Sequence, residues 1–407
     1  MSEPISTPMT RAKTRPKTRP KKIVLFTLAD ITLSTADAVT SIRTAAYLVR
    51  AGHAVTLIAP RQARNVPTIP ADGVELRFHL NLCRFGFPNA FNAVIQWIWS
   101  WRLCWTGNTD LFYVRASMFS FLFGLRRRCC VGPAVFSEHH GWFETERQSG
   151  SRFRWFARFE RSLQMLDVKL ADRVRTVVPG IRDLFIQHGA GASKVAVIGN
   201  ACDVEHVVPV ERAQALRSQR LSEDRRYLGY LGSLTEWQGL PVVLDAMAEI
   251  VRRDSGIDLL IVGDGPLNAE LRQQAQRLGL GERVRFLGRC QQDEIVNILG
   301  CFDLALLPTG SSGYSRIGRS PLKLREYAAA GKSILAAAIP SITDLAAQPW
   351  LSTYPLGDAS ALADSAIAIL NDSSELQRKV ALARSFAETE FSWPAVTRAV
   401  CAELENM

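Results

Sequence analysis

Short apolar runs alternate with amphipathic stretches along almost the whole chain. IVLFTLA (Ile23–Ala29) is a continuous apolar run. A polar loop and a helical pattern over Thr40–Ala51 follow it, and then HAVTLIAP, which ends at a turn. LFYVRAS, AVFSEHHG, RVRTVV and KVAVIGN repeat the theme of a short β-rich run closed by polar or glycine residues. Strands alternating with helices of about 10–15 residues predict βαβ units and a parallel sheet. Residues 206–226 turn polar and charged (ERAQALRSQRLSEDRR) and read as a linker. Beyond them the rhythm restarts: YLGYLGS, LPVVLDAMAEIVRR, DLLIVGDG, AELRQQAQRLG, VRFLG, DEIVNILGC, DLALLPT. The pattern therefore predicts two doubly wound α/β domains, 23–205 and 227–385. A C-terminal helix in 386–407 is expected to pack back toward the first domain. Such sheets bind ligands at the carboxyl ends of their strands, so the polar and glycine residues at strand ends face a cleft and carry the chemistry.

Length and composition agree with this division. A chain of 407 residues suits two domains of roughly 180 residues. With 47% hydrophobic and 22% charged residues it can bury a large core. The net charge of +10 is concentrated: residues 1–22 hold seven cations against Glu3, a balance of +6. The arm TRAKTRPKTRPKK lacks apolar periodicity and reads as disordered. The apolar run after it is short, ends at Asp30 and lacks a small-residue cleavage pattern, so it reads as a strand and not a signal peptide. No run of 18 apolar residues is present, so no membrane-spanning helix is expected. Eight cysteines without a CxxC pair point to reduced thiols in a cytoplasmic protein. The basic charge lacks a folded nucleic-acid motif, so nucleic acid is not expected as a partner. No GxGxxG follows the first strand, which disfavours a dinucleotide oxidoreductase. The six histidines are scattered, and no metal site is expected.

Three segments over about 230–345 recur in a telling order: IVGDGPLNAELRQQAQRLGLGERVRFLGRC, CFDLALLPT and SPLKLREYAAAGKSILAAAIP. Together they resemble the C-terminal domain of GT-B-fold glycosyltransferases, nearest to the retaining family numbered four (group 1). The resemblance implies two Rossmann-like doubly wound domains facing a cleft, with a nucleoside diphosphate sugar bound in the C-terminal half and no cofactor. The residues make physical sense of it. Ser320 and Pro321 are helix-start residues, so the helix Leu322–Ala330 offers its amide groups and dipole to a diphosphate. Lys323 adds a full charge, and Glu326, carried over from the family, takes the ribose hydroxyls. Gly232, Ser233, Gln238, Gly263, Gly265, Arg289, Arg319 and Leu322 complete the expected donor site, with base selection near Gly288–Cys290. Two departures stand out. Gly318 occupies the place of the first acid of the family's acidic pair. In GSLTEWQG, Ser233 and Gln238 stand where an arginine and a lysine usually meet the phosphates, so Lys323 with Arg316 or Arg319 is expected to supply the charge.

The N-terminal half resembles the family too. KVAVIGNACDVEHV keeps Asn200 and Asp203 of an Asn-Gly-Val-Asp ending, with Ala201 for the glycine, and LADRVRTVVPGIRDLF has Pro179 where a serine is usual. AVFSEHHGW resembles the strand whose Glu-x-His-Gly ending presents a histidine to the sugar. Counted from Glu138 this is His140, with His139 as its rival, and a packed histidine pair is the plainer alternative. The first loop lacks the usual glycine pair and offers Ser34, Thr35, Ala36 and Asp37 instead, so contact with donor or acceptor there is an expectation from position alone.

Trp97, Trp101 and Trp105 share one helical face with Trp99 and Arg102 nearby, and Phe119, Phe121 and Phe123 precede Arg126–Arg128. Such a stripe reads either as core or, with the basic arm, as a face resting on anionic headgroups at the inner side of a membrane. The expected activity is transfer of a sugar to an acceptor hydroxyl, with retention, in glycan or glycolipid assembly; the acceptor is a saccharide or lipid-linked. Two alternatives stay open: a sugar-nucleotide epimerase of the same architecture, and a non-catalytic nucleotide-sugar-binding protein, which the loss of cations at 233 and 238 suggests.

Overall fold

The computed structural model describes residues 19–33, 35–61, 69–105, 108–144, 154–291, 294–311 and 313–407. The basic arm up to residue 18 and Ser34 of the first loop lie outside the described residues. Seven strands form the first sheet: β1 Lys22–Phe26, β2 Ala54–Pro60, β3 Glu75–His79, β4 Leu111–Arg115, β5 Ala134–His139, β6 Arg173–Thr176 and β7 Val195–Val197. Six form the second: β8 Arg226–Leu231, β9 Ile257–Val262, β10 Val284–Gly288, β11 Leu304–Leu307, β12 Ser333–Ala337 and β13 Leu351–Tyr354. Their orders are β3-β2-β1-β4-β5-β6-β7 and β10-β9-β8-β11-β12-β13, with all pairs parallel. Each order reverses once, between β1 and β4 and between β8 and β11, which makes those gaps the places for ligands. The sequence explains the choice of a parallel sheet. Every residue of IDLLIV in β9 and of SILAA in β12 is buried, as only strands covered on both faces can be.

Helices cover both faces. Around the first sheet lie α1 Ala36–Arg50, α2 Asn92–Trp105, α3 Phe121–Cys129, α4 Arg154–Leu170 and α5 Pro179–Gln187. Then follow α6 Arg212–Ser218, α7 Leu240–Arg253, α8 Asn268–Arg277, α9 Ile295–Gly300, α10 Gly313–Ile317 and α11 Leu322–Ala329. The last are α12 Pro340–Thr343, α13 Ala359–Asn371, α14 Ser373–Phe386 and α15 Trp393–Glu405. The final helix returns to the first sheet. Trp393 stacks on Tyr47 of α1 at 5.6 Å between ring centroids, and Val396, Val400, Cys401 and Leu404 join the core over β1, β2 and β4.

Several expectations need correction. Residues 206–226 are not a bare linker: Glu211 caps α6 through the amides of Ala213 and Gln214, and Ala215 and Leu216 are fully buried in the core of the second sheet. Of the charges that suggested a linker, Arg217 is exposed on that short helix, Arg212 pairs with Asp303 at 2.7 Å, and Arg225 and Arg226 pair with Asp258 and Asp254. The first strand stops at Phe26 and not at Ala29. The first helix begins four residues earlier than expected, at Ala36, because Thr35 Oγ1 accepts the amide of Ala38 as its cap. The pattern also passed over β3 and β13, whose half-polar sequences ELRFH and LSTY suit edge strands.

The return of α15 has a measurable weight. Trp393→Ala should lower stability by about 3–5 kcal/mol, the usual loss for truncating a buried aromatic, in urea unfolding followed by circular dichroism. A loss near zero would contradict the packing of this helix as part of the first domain's core.

Candidate active site

The start of α11 sits at the switch point of the second sheet. Pro321 precedes it in an extended conformation, and no side chain caps it. Ser320, expected as a helix-start residue, is used elsewhere. Its Oγ accepts the amide of Asn200 at 3.3 Å, and its carbonyl accepts Asn200 Nδ2 at 2.9 Å, so it ties the two domains together instead of capping. The amides of the first turn of α11 thus keep their capacity for an anion. They border a cavity of about 400 Å³ whose walls include Gly232, Gln238, Arg319, Leu322, Lys323 and Glu326, with Ala36 from the first domain. Six of the residues expected at the donor site are brought together here.

Lys323 shows how the cavity is built. Its Nζ donates to Gln238 Oε1 at 2.8 Å and to Tyr230 OH at 3.0 Å, and it lies 4.2 Å from the Tyr230 ring centre. Tyr230 OH in turn donates to the Ser233 carbonyl at 2.8 Å. Burial, and then the nearby Arg319, push the Lys323 ammonium down to about 7, against the pull of Glu326. Burial also raises the Glu326 carboxyl, with Lys323 opposing it.

Other expected donor residues serve the backbone. A Cβ on Gly263 would lie 1.9 Å from the Gly232 carbonyl oxygen, and one on Gly265 would lie 2.5 Å from that of Leu234. These glycines let the loops after β8 and β9 touch. Gly263 also needs its φ of +124°. Ser233 contributes its carbonyl to Tyr230, and Arg289 is exposed, 3.8 Å from Asp264. Arg316 lies elsewhere, on a separate pocket beside Trp142 and Pro179.

The two histidines have different surroundings. His139 ends β5 fully buried, with Nε2 3.0 Å from Asp167 and Nδ1 accepting from Gln164 Nε2 at 3.2 Å. His140, one residue on, is 28% exposed, and its Nε2 meets Glu138 Oε1 beside Arg115 Nη2 at 3.3 Å. Glu138 is buried and also held by Tyr113 OH and by Arg175 Nη1 at 3.2 Å. Burial alone would raise the Glu138 carboxyl, but Arg175, His140 and Arg115 outweigh it and hold it well below its ordinary value. For His140, burial and Arg115 lower the imidazole and Glu138 opposes them. With Nε2–H turned to a fixed carboxylate, a neutral His140 keeps its lone pair on Nδ1.

His140 and Asp37 line both of two smaller cavities, about 200 and 220 Å³. The second shares Ala36, Arg319, Pro321 and Leu322 with the Lys323 cavity and includes Asn200 and Gly318. The three adjoin as one cleft with Lys323 and Glu326 at one end and His140 at the other. Thr35 takes part as the cap of α1, and Asp37 pairs with Arg115 at 3.1 Å.

Sequence reasoning missed Tyr230, Arg115, Arg175 and Arg325 and used Glu138 only to count register. A signal was present: each is a polar ring or charge within or closing an apolar segment, as in YLGYLG, LFYVR and RVRT, where a buried polar group demands a partner.

Two parallel sheets with reversed orders, facing one another across a cleft with a cation-lined helix start on one side, define a GT-B architecture. The comparisons agree. Residues 211–384 match the family model described as glycosyl transferases group 1, and residues 38–206 match glycosyltransferase family 4. The chain belongs to this family of GT-B glycosyltransferases. It is 26% identical over 265 residues to the glycogen synthase of Mycobacterium tuberculosis, an alignment covering 64% of this chain and 58% of that relative's length. In fold it is similar to sucrose-phosphate synthase from Thermosynechococcus elongatus, with a TM-score of 0.74 at 17% identity over 95% of this chain and 98% of that one. It is also similar to Anabaena HepE, solved in complex with UDP and glucose, with a TM-score of 0.71 at 18% identity over 95% and 100% of the two chains.

The low value of Lys323 has a consequence for stability. Below about pH 7 the folded and unfolded chains both hold this proton. Between about 7 and 10.5 only the unfolded chain does, so this residue makes stability rise with pH across that window. The unfolding free energy of Lys323→Met relative to the native protein should therefore fall as pH is raised from about 6 to about 9. A difference that does not change with pH would contradict the burial of an ionisable amine here.

Proposed function

We propose that this protein transfers a sugar from a nucleoside diphosphate sugar to an acceptor hydroxyl, with retention and without a metal, in glycan or glycolipid assembly at the cytoplasmic side of a membrane. The observation that carries the reading is the continuous cleft between Glu326–Lys323 and His140. In this reading Glu326 holds the ribose hydroxyls. The start of α11, Lys323 and Arg319 hold the diphosphate, and the sugar lies across the middle of the cleft near Asn200 and Gly318. Glycine at 318 lets the loop before α11 pack against Ser341, since a Cβ would lie 2.7 Å from that of Ser341. The acceptor enters on the His140 side. His140, fixed by Glu138, accepts from a sugar or acceptor hydroxyl through Nδ1 and helps manage charge as the leaving diphosphate departs. The leaving group's charge then falls on the cationic end of the cleft, where the transition state needs it. HepE is described in complex with UDP and glucose, which makes a uridine donor the first to try.

A thermal-shift comparison of UDP, GDP, ADP and CMP identifies the donor class, and silence to all four would favour a non-catalytic protein. With the responding nucleotide, Glu326→Gln should weaken binding by about 1–3 kcal/mol in calorimetry, the worth of a charge-assisted hydrogen bond. His140→Ala should leave that affinity nearly unchanged while cutting transfer by roughly 10²–10⁴-fold, the range of a positioned acid–base group. Unchanged nucleotide affinity in the first variant, or unchanged turnover in the second, would remove that residue from its assigned role.

A further inference from the structure

We propose that the outer face of α2, with the loop before it, is a contact surface for an anionic lipid bilayer. This helix is sided against its composition. Its fully buried positions are Asn92, Ala93, Gln96 and Ser100, three of them polar and spaced four apart, while none of its tryptophans is fully buried. The polar stripe faces inward because it has backbone groups to satisfy. Asn92 Oδ1 accepts the amide of Leu82 at 2.8 Å, and Gln96 Nε2 donates to the Thr27 carbonyl at 2.7 Å.

Trp97, Trp99, Leu103 and Cys104 pack partly buried against the core, and the rest of the apolar side is left outward. Trp105 is 88% exposed, Ile98 53%, and Phe85 and Phe87 64% and 50%. Phe87, Phe91 and Phe119 form a run of ring contacts at 5.9 and 5.1 Å beside the start of the helix. Isolated exposed apolar residues are ordinary, but Ile98 and Trp105, seven residues apart on one face of α2, with Phe85, Phe87 and Phe91 before it make a patch of the kind that something covers.

The charges choose the occupant. Arg84 in the loop before α2 and Arg102 on the helix itself are exposed. Lys22, at the start of β1, donates its amide to Asp110 Oδ2 at 2.7 Å, and its ammonium meets Asn108, in the turn that follows α2. Lys22 thereby adds a cation at the turn that follows α2. Aromatic side chains flanked by cations match a layer of phosphate headgroups above hydrocarbon. The attraction includes a screened electrostatic part that salt weakens.

The placement also bears on the acceptor, a consequence that rests on the proposed transfer activity. Gln96 and Asn89 hold the carbonyls of Thr27 and Leu28, and these residues line the His140 cavity. A protein seated on α2 therefore brings the acceptor side of its cleft to the bilayer, where an acceptor carried on a lipid is within reach.

The test is flotation of the full-length protein with vesicles of phosphatidylcholine, with and without phosphatidylglycerol, at low and high salt. The native protein should float with the anionic vesicles at low salt. Ile98→Asp/Trp105→Asp should reduce the bound fraction by about tenfold or more, with unchanged thermal unfolding and an unchanged response to UDP. Both residues are exposed, so the pair should fold. Equal flotation of native and variant proteins would overturn the proposal, and so would native protein that stays unbound. Concentration-dependent self-association in sedimentation, abolished by the same pair, would assign the face to a second copy and overturn it too. Vesicle binding needs neither nucleotide nor acceptor, so failure of the functional reading alone would leave flotation intact.

Discussion

The cleft is organised by one cation held, among the described residues, without a carboxylate in hydrogen-bond contact. Lys323 reaches from the first turn of α11 to two neutral oxygens and the face of a ring, Gln238 Oε1, Tyr230 OH and the Tyr230 π-system. Neutral acceptors and a ring offset the loss of water only in part, so the ammonium is pushed down to about 7. A dianionic ligand would complete what the protein leaves unfinished. The same contacts fix the shape of the site: they draw the start of α11 against the end of β8, and Tyr230 passes the connection on to Ser233.

Holding the two halves face to face is the work of a second cation. Arg325 donates to the Asn200 and Pro321 carbonyls at 2.5 and 3.1 Å and lies 4.7 Å from the ring centre of Phe391, so the end of the first domain's last strand is fastened to α11 itself. Arg384 adds three backbone carbonyls, those of Val204, Val207 and Ala329. Gly180 lets α5 meet α10, since a Cβ there would lie 2.0 Å from the Ile317 carbonyl oxygen. The residues expected to hold the diphosphate, Lys323 and Arg319, sit on or just before α11, the helix that carries this joint. Donor binding and domain arrangement therefore act on the same few residues.

Much of this was legible in the sequence, for a physical reason. Buried parallel strands must be apolar throughout, so DLLIVGDG and SILAA declare themselves, and a ligand site at strand ends must follow them. Edge strands such as ELRFH half face water and leave no such mark. Glu326 and His140 were proposed from the resemblance of their segments to the family, and Lys323 from its place in the first turn of the expected helix. The partners that set their properties were not, because Glu138–Arg175 and Lys323–Tyr230 are joined only by the fold, across 37 and 93 residues. The segment ERAQALRSQR misled because its charges hide a two-residue apolar stripe, enough to bury a short helix. Gly263 and Gly265 were expected at the donor site, and their neighbours show that they permit loop contact between β8 and β9.

The central claim is that Lys323 replaces the cations absent at positions 233 and 238. The direct measurement is the affinity of UDP against that of uridine in Lys323→Ala and in Lys323→Ala/Gln238→Lys. Gln238 Oε1 lies 2.8 Å from the Lys323 ammonium, so a lysine at 238 returns the charge to nearly the same point. The account predicts that the first variant loses about 10–100-fold in affinity for UDP and little for uridine, as expected for one charge-assisted contact to phosphate. The second variant should recover most of that loss. Equal losses for both ligands, or no recovery, would contradict it.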